Sequence, residues 1–173
     1  LISFVLAFIF AILTEKFYVA KKIIMPIIGI MRALPTVAVV LLLLFWTNSE
    51  IAPIVVTMLV VLPTIFNGIV LSLKSIDKDV LEMCKIFKVS KKETYKKVII
   101  PGIMPSLIIT MGSGLSLNLK LMVAAEVLAS TAKSLGGLFN YTNANLQTAT
   151  MLALVVLTVL VGLLIEKVFS LIS

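Results

Sequence analysis

Two charged side chains stand inside a long apolar run, where a charge is costly. Lys120 and Glu126 interrupt residues 102–132, a stretch with no other charge. Ionisable groups in such a setting are rare, and they are usually functional or paired. Six residues separate them, and this spacing places them about 120° apart on a helix. The sequence therefore does not predict an intrahelical ion pair between Lys120 and Glu126.

Amides and hydroxyls occur in the same apolar runs, namely Asn67, Asn118, Thr57, Thr64 and Ser116. Away from water, such groups hydrogen-bond between helices, and we expect that pattern here. For the two amides, Asn67 and Asn118, a second interpretation is contact with a solute. Lys120 also has two interpretations, either as a counter-ion for an anionic solute or as a side chain that snorkels along its helix.

The residue types exclude several kinds of chemistry. Histidine, the commonest general base and metal ligand, is missing, and the one cysteine, Cys84, can form no disulfide within the chain. The sequence also has no G-x-x-x-x-G-K-S/T phosphate-binding loop. We therefore expect no catalytic, cofactor-binding or metal-binding residues in this chain.

The elements that position these residues are membrane spans. Of the 173 residues 61% are hydrophobic and 13% charged, against roughly 45–50% and about 25% in soluble domains. Crossing a bilayer takes about 20 apolar residues, and residues 51–73, 102–132 and 146–165 meet that length. We predict a fourth span at residues 33–46, approached by a helix over residues 23–31. Residues 1–13 are interpreted as the start of a chain truncated inside a helix.

Charge orients these spans. The chain has 15 basic and 8 acidic residues, a net charge of +7, and the lysines cluster in residues 14–32 and 74–101. Lys and Arg in short loops accumulate on the cytoplasmic side, so these two segments and the C-terminus are predicted inside, with residues 47–52 and 130–147 outside. Because the lysines flank spans and no aromatic stacking platform accompanies them, nucleic-acid binding is not indicated.

The polar segment of residues 74–101 carries two helix starts. Asp77 is a favourable N-cap, and Ser90 followed by Glu93 is a capping box. An apolar face on the first helix is formed by Val80, Cys84 and Phe87. We predict two short amphipathic helices joined by a three-residue turn, the second ending at Pro101. From the residues alone, this element either lies on anionic lipid or docks a soluble partner.

The polar segment resembles the EAA loop of ABC importer permeases. That loop has the pattern E-A-A, three residues, G, nine residues and then I-x-L-P. The corresponding positions are taken here by Glu82, Met83, Cys84, Lys88, Val98, Ile100 and Pro101. The spacing fits throughout, while only Glu82 and Pro101 match literally. The resemblance implies that these residues, with Phe87, form the surface that couples the chain to an ATPase.

Other segments extend the resemblance over the chain from about residue 4. M-R-A-L-P-T-V-A resembles the L-R-A-L-P-P-L-A-W segment of nitrate, sulfonate and taurine permeases, and V-L-P-T-I-F-N-G-I-V resembles the F-P-I-x-x-N segment that precedes their EAA loop. L-M-V-A-A-E-V-L resembles their V-V-A-E-x-L region. Glu126 takes the glutamate position, near the outer end of the span, where the resemblance implies a structural or gating role.

The resemblance implies an all-α, polytopic transmembrane helix bundle of the type I ABC importer permease fold. Residues 1–173 would form one partial permease domain in the inner membrane of a prokaryote. The chain would couple ATP hydrolysis by a separate ATPase subunit to uptake of a small solute. Its other partners would be an extracytoplasmic substrate-binding protein and a second permease copy. The solute would be a nitrate-, sulfonate- or taurine-like anion, or a thiamine-precursor-like compound.

Within that function, the pathway candidates are Asn67, Asn118, Lys120 and Glu126. The alternative class is a membrane scaffold or channel subunit whose basic amphipathic helices grip lipid. A membrane-embedded enzyme is disfavoured, because the chain has no histidine and no clustered carboxylates.

Three local expectations remain. Lys88 stands where the family has Gly, and a left-handed turn there would disfavour Lys by about 1 kcal/mol, so either the turn differs or it is strained. Residues 140–149 are predicted to be an outer loop that docks the binding protein. Kinks or breaks are expected at Pro35, Pro63 and Pro105.

Overall fold

The structure is a computed structural model that describes residues 2–173, apart from the side chain of Lys78. These residues form the helices α1 (Ile2–Lys16), α2 (Tyr18–Ala33), α3 (Thr36–Trp46), α4 (Ile51–Lys74), α5 (Lys78–Ile86), α6 (Lys91–Thr94), α7 (Ile100–Ala129), α8 (Leu135–Ala144) and α9 (Thr148–Ile172). A π-helical turn, Tyr95–Ile99, joins α6 to α7. The described part of the chain contains no strand, so the predicted all-α fold is confirmed.

Three of the predicted spans are present as long apolar helices. Within residues 2–173, α4, α7 with its N-terminal extension, and α9 are long and apolar enough to cross a membrane. The last of them continues to Ile172, seven residues beyond the predicted end at residue 165. These helices pack as an antiparallel series, α4 against α7 and α7 against α9.

Glycines bring α7 close to both neighbours. A Cβ added to Gly68 of α4 would lie 2.5 Å from Cγ2 of Thr110, and one added to Gly112 of α7 would lie 2.6 Å from Cβ of Phe169. Gly114 is similarly tight, since an added Cβ would meet a side chain of α4 at 3.0 Å. Gly112 and Gly114 are therefore points of close approach of α7 to α9 and to α4.

The first helix, α1, completes the core by packing against α4. Ala7 and Ala11 of α1 are fully buried, and they pack in one cluster with Phe66 and Ile69 of α4. Small residues on α1 allow this close packing of two helix backbones. A second, smaller cluster joins Val40 of α3 to α4 and to the far end of α7.

The predicted fourth span is not one straight helix. α2 and α3 are separated by Leu34 and Pro35 and are bent by 95° relative to each other. Pro35 disfavours a helical conformation in the residue before it, and Leu34 is indeed extended, with ψ of 126°. The 11 residues of α3 cover only about 16 Å. A fourth crossing therefore exists only if the bent pair crosses as one unit.

The second helix of the polar segment does not end at Pro101, contrary to the prediction. Residues 91–129 form one continuous helix of 39 residues. Pro101 lacks the N–H that an α-helix requires of it, but the preceding π-helical turn shifts the hydrogen bonds, and the N–H of Ile100 donates to the carbonyl of Tyr95, five residues back. Pro63 and Pro105 also lie inside helices, so only Pro35 among the three prolines breaks a helix.

Candidate functional site

The helix α5 is bounded by two local motifs in the polar segment. At its start, Asp77 accepts a hydrogen bond from the backbone N–H of Asp79 at 2.9 Å, as the capping prediction required. At its end, the N–H of Val89 donates to the carbonyl of Cys84 at 2.9 Å. Lys88 lies between them in the left-handed conformation, with φ of 52°. This is a Schellman motif, and a non-glycine residue strains it by about 1 kcal/mol.

The apolar residues of α5 divide between two surfaces. Cys84 is half-buried and lines a groove of about 330 Å³ between α5 and the start of the α6–α7 helix, together with Leu81 and Tyr95. The opposite edge faces away from the rest of the chain, with Met83 55%, Ile86 75% and Phe87 73% exposed. The prediction that Cys84 and Phe87 share one face is therefore wrong, because Phe87 lies past the last helical residue, Ile86.

Glu82 and the residues of the I-x-L-P positions complete the segment. Glu82 is exposed on α5. Val98 is half-buried in the π-helical turn, and Ile100 and Pro101 are exposed at the start of α7. Six of the eight predicted coupling residues therefore present exposed side chains, while Cys84 and Val98 are half-buried.

The start of α6 is stabilised by charge. Ser90 accepts a hydrogen bond from the N–H of Glu93 at 3.2 Å, which confirms the predicted N-cap. The Glu93 carboxylate accepts hydrogen bonds from Nζ of Lys97 at 3.1 Å and from the Ser90 hydroxyl. The hydrogen bond and charge of Lys97, with the smaller contribution of Ser90, hold the pKa of Glu93 below its ordinary value.

Lys120 has a partner that the sequence interpretation missed. Its Nζ lies 3.7 Å from Oε1 of Glu166 on α9, and the two side chains are 57% and 43% exposed. The prediction that Lys120 and Glu126 form no intrahelical pair agrees with this geometry. The predicted last span ends at residue 165, just before Glu166. In the structure α9 continues through Glu166 to Ile172.

Glu126 holds the helix that follows α7. Its Oε2 accepts a hydrogen bond from the backbone N–H of Gly136 at 3.0 Å, in the first turn of α8. A carboxylate there stabilises the positive end of the helix dipole. A Cβ on Gly136 would lie 2.3 Å from Cβ of Glu126, so this close contact requires glycine. The predicted outer loop at residues 140–149 is wrong in part, since α8 extends to Ala144.

The two amide side chains among the pathway candidates, Asn118 and Asn67, lie apart from Lys120 and Glu126. Asn118 is exposed and, with Ser3, lines two neighbouring cavities of about 470 and 70 Å³ between α1, α4 and α7. Asn67 is half-buried on α4 and lines neither of these cavities. The four pathway candidates are therefore dispersed, with Asn118 towards α1, Lys120 towards α9 and Glu126 under α8.

Most hydroxyl groups bond within their own helix, contrary to the prediction. Thr57 and Thr64 each donate to the carbonyl four residues back. Two interhelical contacts agree with the prediction: the Thr57 hydroxyl also lies 3.5 Å from Sδ of Met122 on α7, and the hydroxyls of Ser72 and Ser106 are hydrogen-bonded at 2.7 Å. Ser116 is fully buried against α9, and its hydroxyl has no hydrogen-bond partner within residues 2–173.

The helices and the polar segment define a class of protein. Several long apolar helices, packed through glycines and joined to a polar two-helix element, make up a multi-pass membrane protein. Residues 3–173 match the family described as the binding-protein-dependent transport system inner membrane component. The chain belongs to this family of ABC importer permeases.

Individual relatives agree with the family. The chain is 28% identical over 111 residues to the glycine betaine/proline betaine transport system permease protein ProW of Escherichia coli, which is 64% of this chain and 31% of that protein. It is 25% identical over 147 residues to the taurine transport system permease protein TauC of Escherichia coli, which is 84% of this chain and 53% of that protein. The matched region therefore spans about one third to one half of the length of these relatives.

Proposed function

We propose that this chain is the transmembrane permease subunit of an ABC importer, and that it takes up a small solute with energy from ATP hydrolysis by a separate ATPase subunit. The observation that carries the proposal is the exposed apolar edge of α5, formed by Met83, Ile86 and Phe87. Apolar side chains are rarely left exposed in a contiguous patch unless they meet a partner. This edge lies in the segment that has the spacing of the EAA loop.

The continuous helix supplies the mechanical connection. α5 is joined by the Schellman turn to α6, and α6 passes through the π-helical turn into α7 without a break. A displacement of α5 by the closing ATPase pair would therefore move α7 against α4 and α9. In this proposal the chain binds no cofactor itself, and ATP is bound and hydrolysed by the partner.

The remaining partners and the solute follow from the same family. An extracytoplasmic binding protein would deliver the solute, and a second permease copy would complete the pathway. Nitrate-, sulfonate- and taurine-like anions or a thiamine-precursor-like compound stay within the proposed range. Glycine betaine, proline betaine and taurine, which the names of the relatives specify, are small solutes that each carry a positive and a negative group.

The test is to co-express the full-length permease with its candidate ATPase and to measure recovery of the complex and ATP-dependent uptake. Phe87→Asp and Glu82→Lys should each weaken recovery of the ATPase about 30-fold or more, as expected for a central interface residue. Lys92→Ala, an exposed change on α6, is the matched control and should recover the complex normally.

Two results would contradict the proposal. If Phe87→Asp and Glu82→Lys recover as much ATPase as Lys92→Ala, α5 is not the docking surface. If Phe87→Asp instead weakens binding of the element to anionic lipid while Glu82→Lys strengthens it, the element is a lipid-bound helix pair, as in the scaffold or channel alternative.

A further inference from the structure

The junction between α1 and α2 carries positive charge that the described chain does not neutralise. Lys16 ends α1, and Lys21 and Lys22 lie near the start of α2. Glu15 is the one acidic residue within residues 14–32. All three lysines are exposed, and no ion pair between described residues includes any of them. Their charges are therefore available to an anionic partner.

These lysines lie at the end of the helix bundle that bears the polar segment. Ser3 of α1 and Thr57 of α4 line the same cavity, and the buried alanines of α1 pack further along α4, so the two helices run in the same direction. Thirteen residues separate Ser3 from Lys16. The same advance along α4, about 20 Å, leads from Thr57 to Val70, four residues before α4 ends at Lys74. The lysines are therefore level with the charged end of α4, at the boundary of the apolar region.

The bend after α2 keeps the start of this helix at that boundary. α2 and α3 are bent by 95° relative to each other, so both cannot run along the bundle axis. α3 packs through Val40 against α4 and the far end of α7, and it leads to the start of α4 at Ile51. It therefore follows the bundle, and α2 is the helix that is turned away from the axis. Its first turns accordingly stay near the level of Lys16.

The exposed surface of α2 is divided into an apolar and a basic part. Val19, Ile23 and Ile30 are each more than half exposed, and their intervals of four and seven residues place them on one face. We call these three residues the apolar stripe of α2. Lys21 and Lys22 lie off this stripe. A helix with an apolar face and lysines beside it lies in the interface of a bilayer, where the apolar face contacts acyl chains and the lysines contact headgroups.

Aromatic rings hold two of the ammonium groups in place. Nζ of Lys22 lies 4.8 Å from the centroid of the Tyr18 ring, and Nζ of Lys16 lies 5.3 Å from the centroid of the Phe17 ring. Tyrosine is enriched where acyl chains meet headgroups, and Tyr18 is exposed. A ring face restricts an ammonium group by a cation–π contact and leaves N–H donors for an anion.

We propose that the start of α2 is a docking surface for anionic phospholipid, with the ammonium groups of Lys16, Lys21 and Lys22 on the headgroup phosphates and the apolar stripe of α2 against the acyl chains. Charge complementarity selects this partner, because the lysines have no carboxylate of the described chain and lie beside exposed apolar side chains at the membrane boundary. The surface is separate from the apolar edge of α5, and the inference does not depend on the proposed transport function.

The experiment identifies what lies against the start of α2. In the full-length permease, p-benzoylphenylalanine replaces Tyr18 and, in a second sample, Trp46, which is exposed at the end of α3. Both samples are placed in nanodiscs of equal parts phosphatidylglycerol and phosphatidylcholine, and mass spectrometry measures the ratio of the two lipids crosslinked by light. Crosslinking at position 18 should favour phosphatidylglycerol, relative to position 46. Lys21→Gln combined with Lys22→Gln should lower this preference by about fivefold for each lysine removed.

Two further variants distinguish the charge of these lysines from other effects. Lys21→Arg combined with Lys22→Arg keeps the charge and should keep the preference for phosphatidylglycerol. Lys92→Gln, which removes an exposed lysine from α6, is the matched control and should behave as the wild type does.

Four results would overturn the inference. They are equal crosslinking of the two lipids at position 18, a preference in the double glutamine variant as large as in Lys92→Gln, equal losses in the glutamine and arginine variants, and crosslinking of position 18 to a second copy of the permease in place of lipid. The last result would show that protein covers this face of α2.

Discussion

Gly136→Ala tests the contact between α7 and α8 most sharply. The new Cβ would lie 2.3 Å from Cβ of Glu126 and 2.5 Å from the backbone nitrogen of Val127. Relief of this clash requires α8 to move by about 1 Å, because carbon atoms in contact lie about 3.5–4.0 Å apart. That movement also breaks the 3.0 Å hydrogen bond from Gly136 to the Glu126 carboxylate.

The expected destabilisation follows from three contributions. Overpacking costs about 1–3 kcal/mol, and loss of a hydrogen bond to a charged group costs about 1.5–3 kcal/mol. Alanine returns at most about 1 kcal/mol through its preference for the helix over glycine. The net loss in the free energy of unfolding is about 1.5–6 kcal/mol.

The assay is unfolding by SDS titration in mixed micelles, followed by fluorescence of the single tryptophan, Trp46. Gly102→Ala is the matched control, because a Cβ on Gly102 meets nothing within 4 Å, and it should be neutral or stabilising by up to about 1 kcal/mol. The reasoning is refuted if Gly136→Ala unfolds at the same SDS fraction as Gly102→Ala.

Four further predictions concern single side chains. Lys88→Gly should relieve the left-handed strain and slow hydrogen exchange at the end of α5 by up to about fivefold, equivalent to about 1 kcal/mol; Lys88→Ala, which keeps the strain, should not. Glu126→Gln should keep the contact with α8 but lose its charge, and so lower the free energy of unfolding by about 0.3–1 kcal/mol in the SDS assay. A larger loss for Glu126→Gln than for Glu126→Ala would contradict the contact of Glu126 with the start of α8. The pKa of Glu93 is lowered by its hydrogen bond with Lys97, so its contribution to the start of α6 is present at neutral pH and is lost as the pH falls below about 4.3, the ordinary value. Amide protection at α6, measured relative to the intrinsic exchange rate at each pH, should therefore fall in acid in the wild type and not in Glu93→Gln. Ser72→Ala should lower the free energy of unfolding by about 0.6 kcal/mol through loss of its interhelical hydrogen bond, and no change in the SDS titration would show that this bond contributes nothing.

Local signals in the sequence predicted the elements that depend on nearby residues. Uncharged runs located α4, α7 and α9, and the short-range motifs at Asp77 and Ser90 located the starts of α5 and α6. The end of the second polar helix was wrong because Pro101 ordinarily stops a helix. The π-helical turn that tolerates it arises from hydrogen bonds that residue types do not reveal.

The site was harder to predict than the fold, since it depends on register between helices. Lys120 was identified as an unusual charge, but its partner Glu166 is 46 residues away in the sequence and becomes adjacent only through the packing of α7 on α9. Glu126 was assigned a structural or gating role, and the structure gives it a specific contact with Gly136. A pair of glycines that follows an intramembrane glutamate by about ten residues was the signal available for that contact.

The 39-residue helix that contains α6 and α7 also relates a displacement at one of its ends to the displacement at the other. Its tightest contact with α9 is at Gly112, which can act as a fulcrum with arms of about 32 Å to Lys91 and about 26 Å to Ala129. If the helix tilts rigidly about that point, a 5 Å sideways push at Lys91 produces about 4 Å of opposite travel at Ala129. The wide turn at residues 95–99 sits wholly on the longer arm. Any bending at this turn absorbs part of the displacement applied at Lys91, so the stiffness of the turn limits how much of that displacement reaches Ala129.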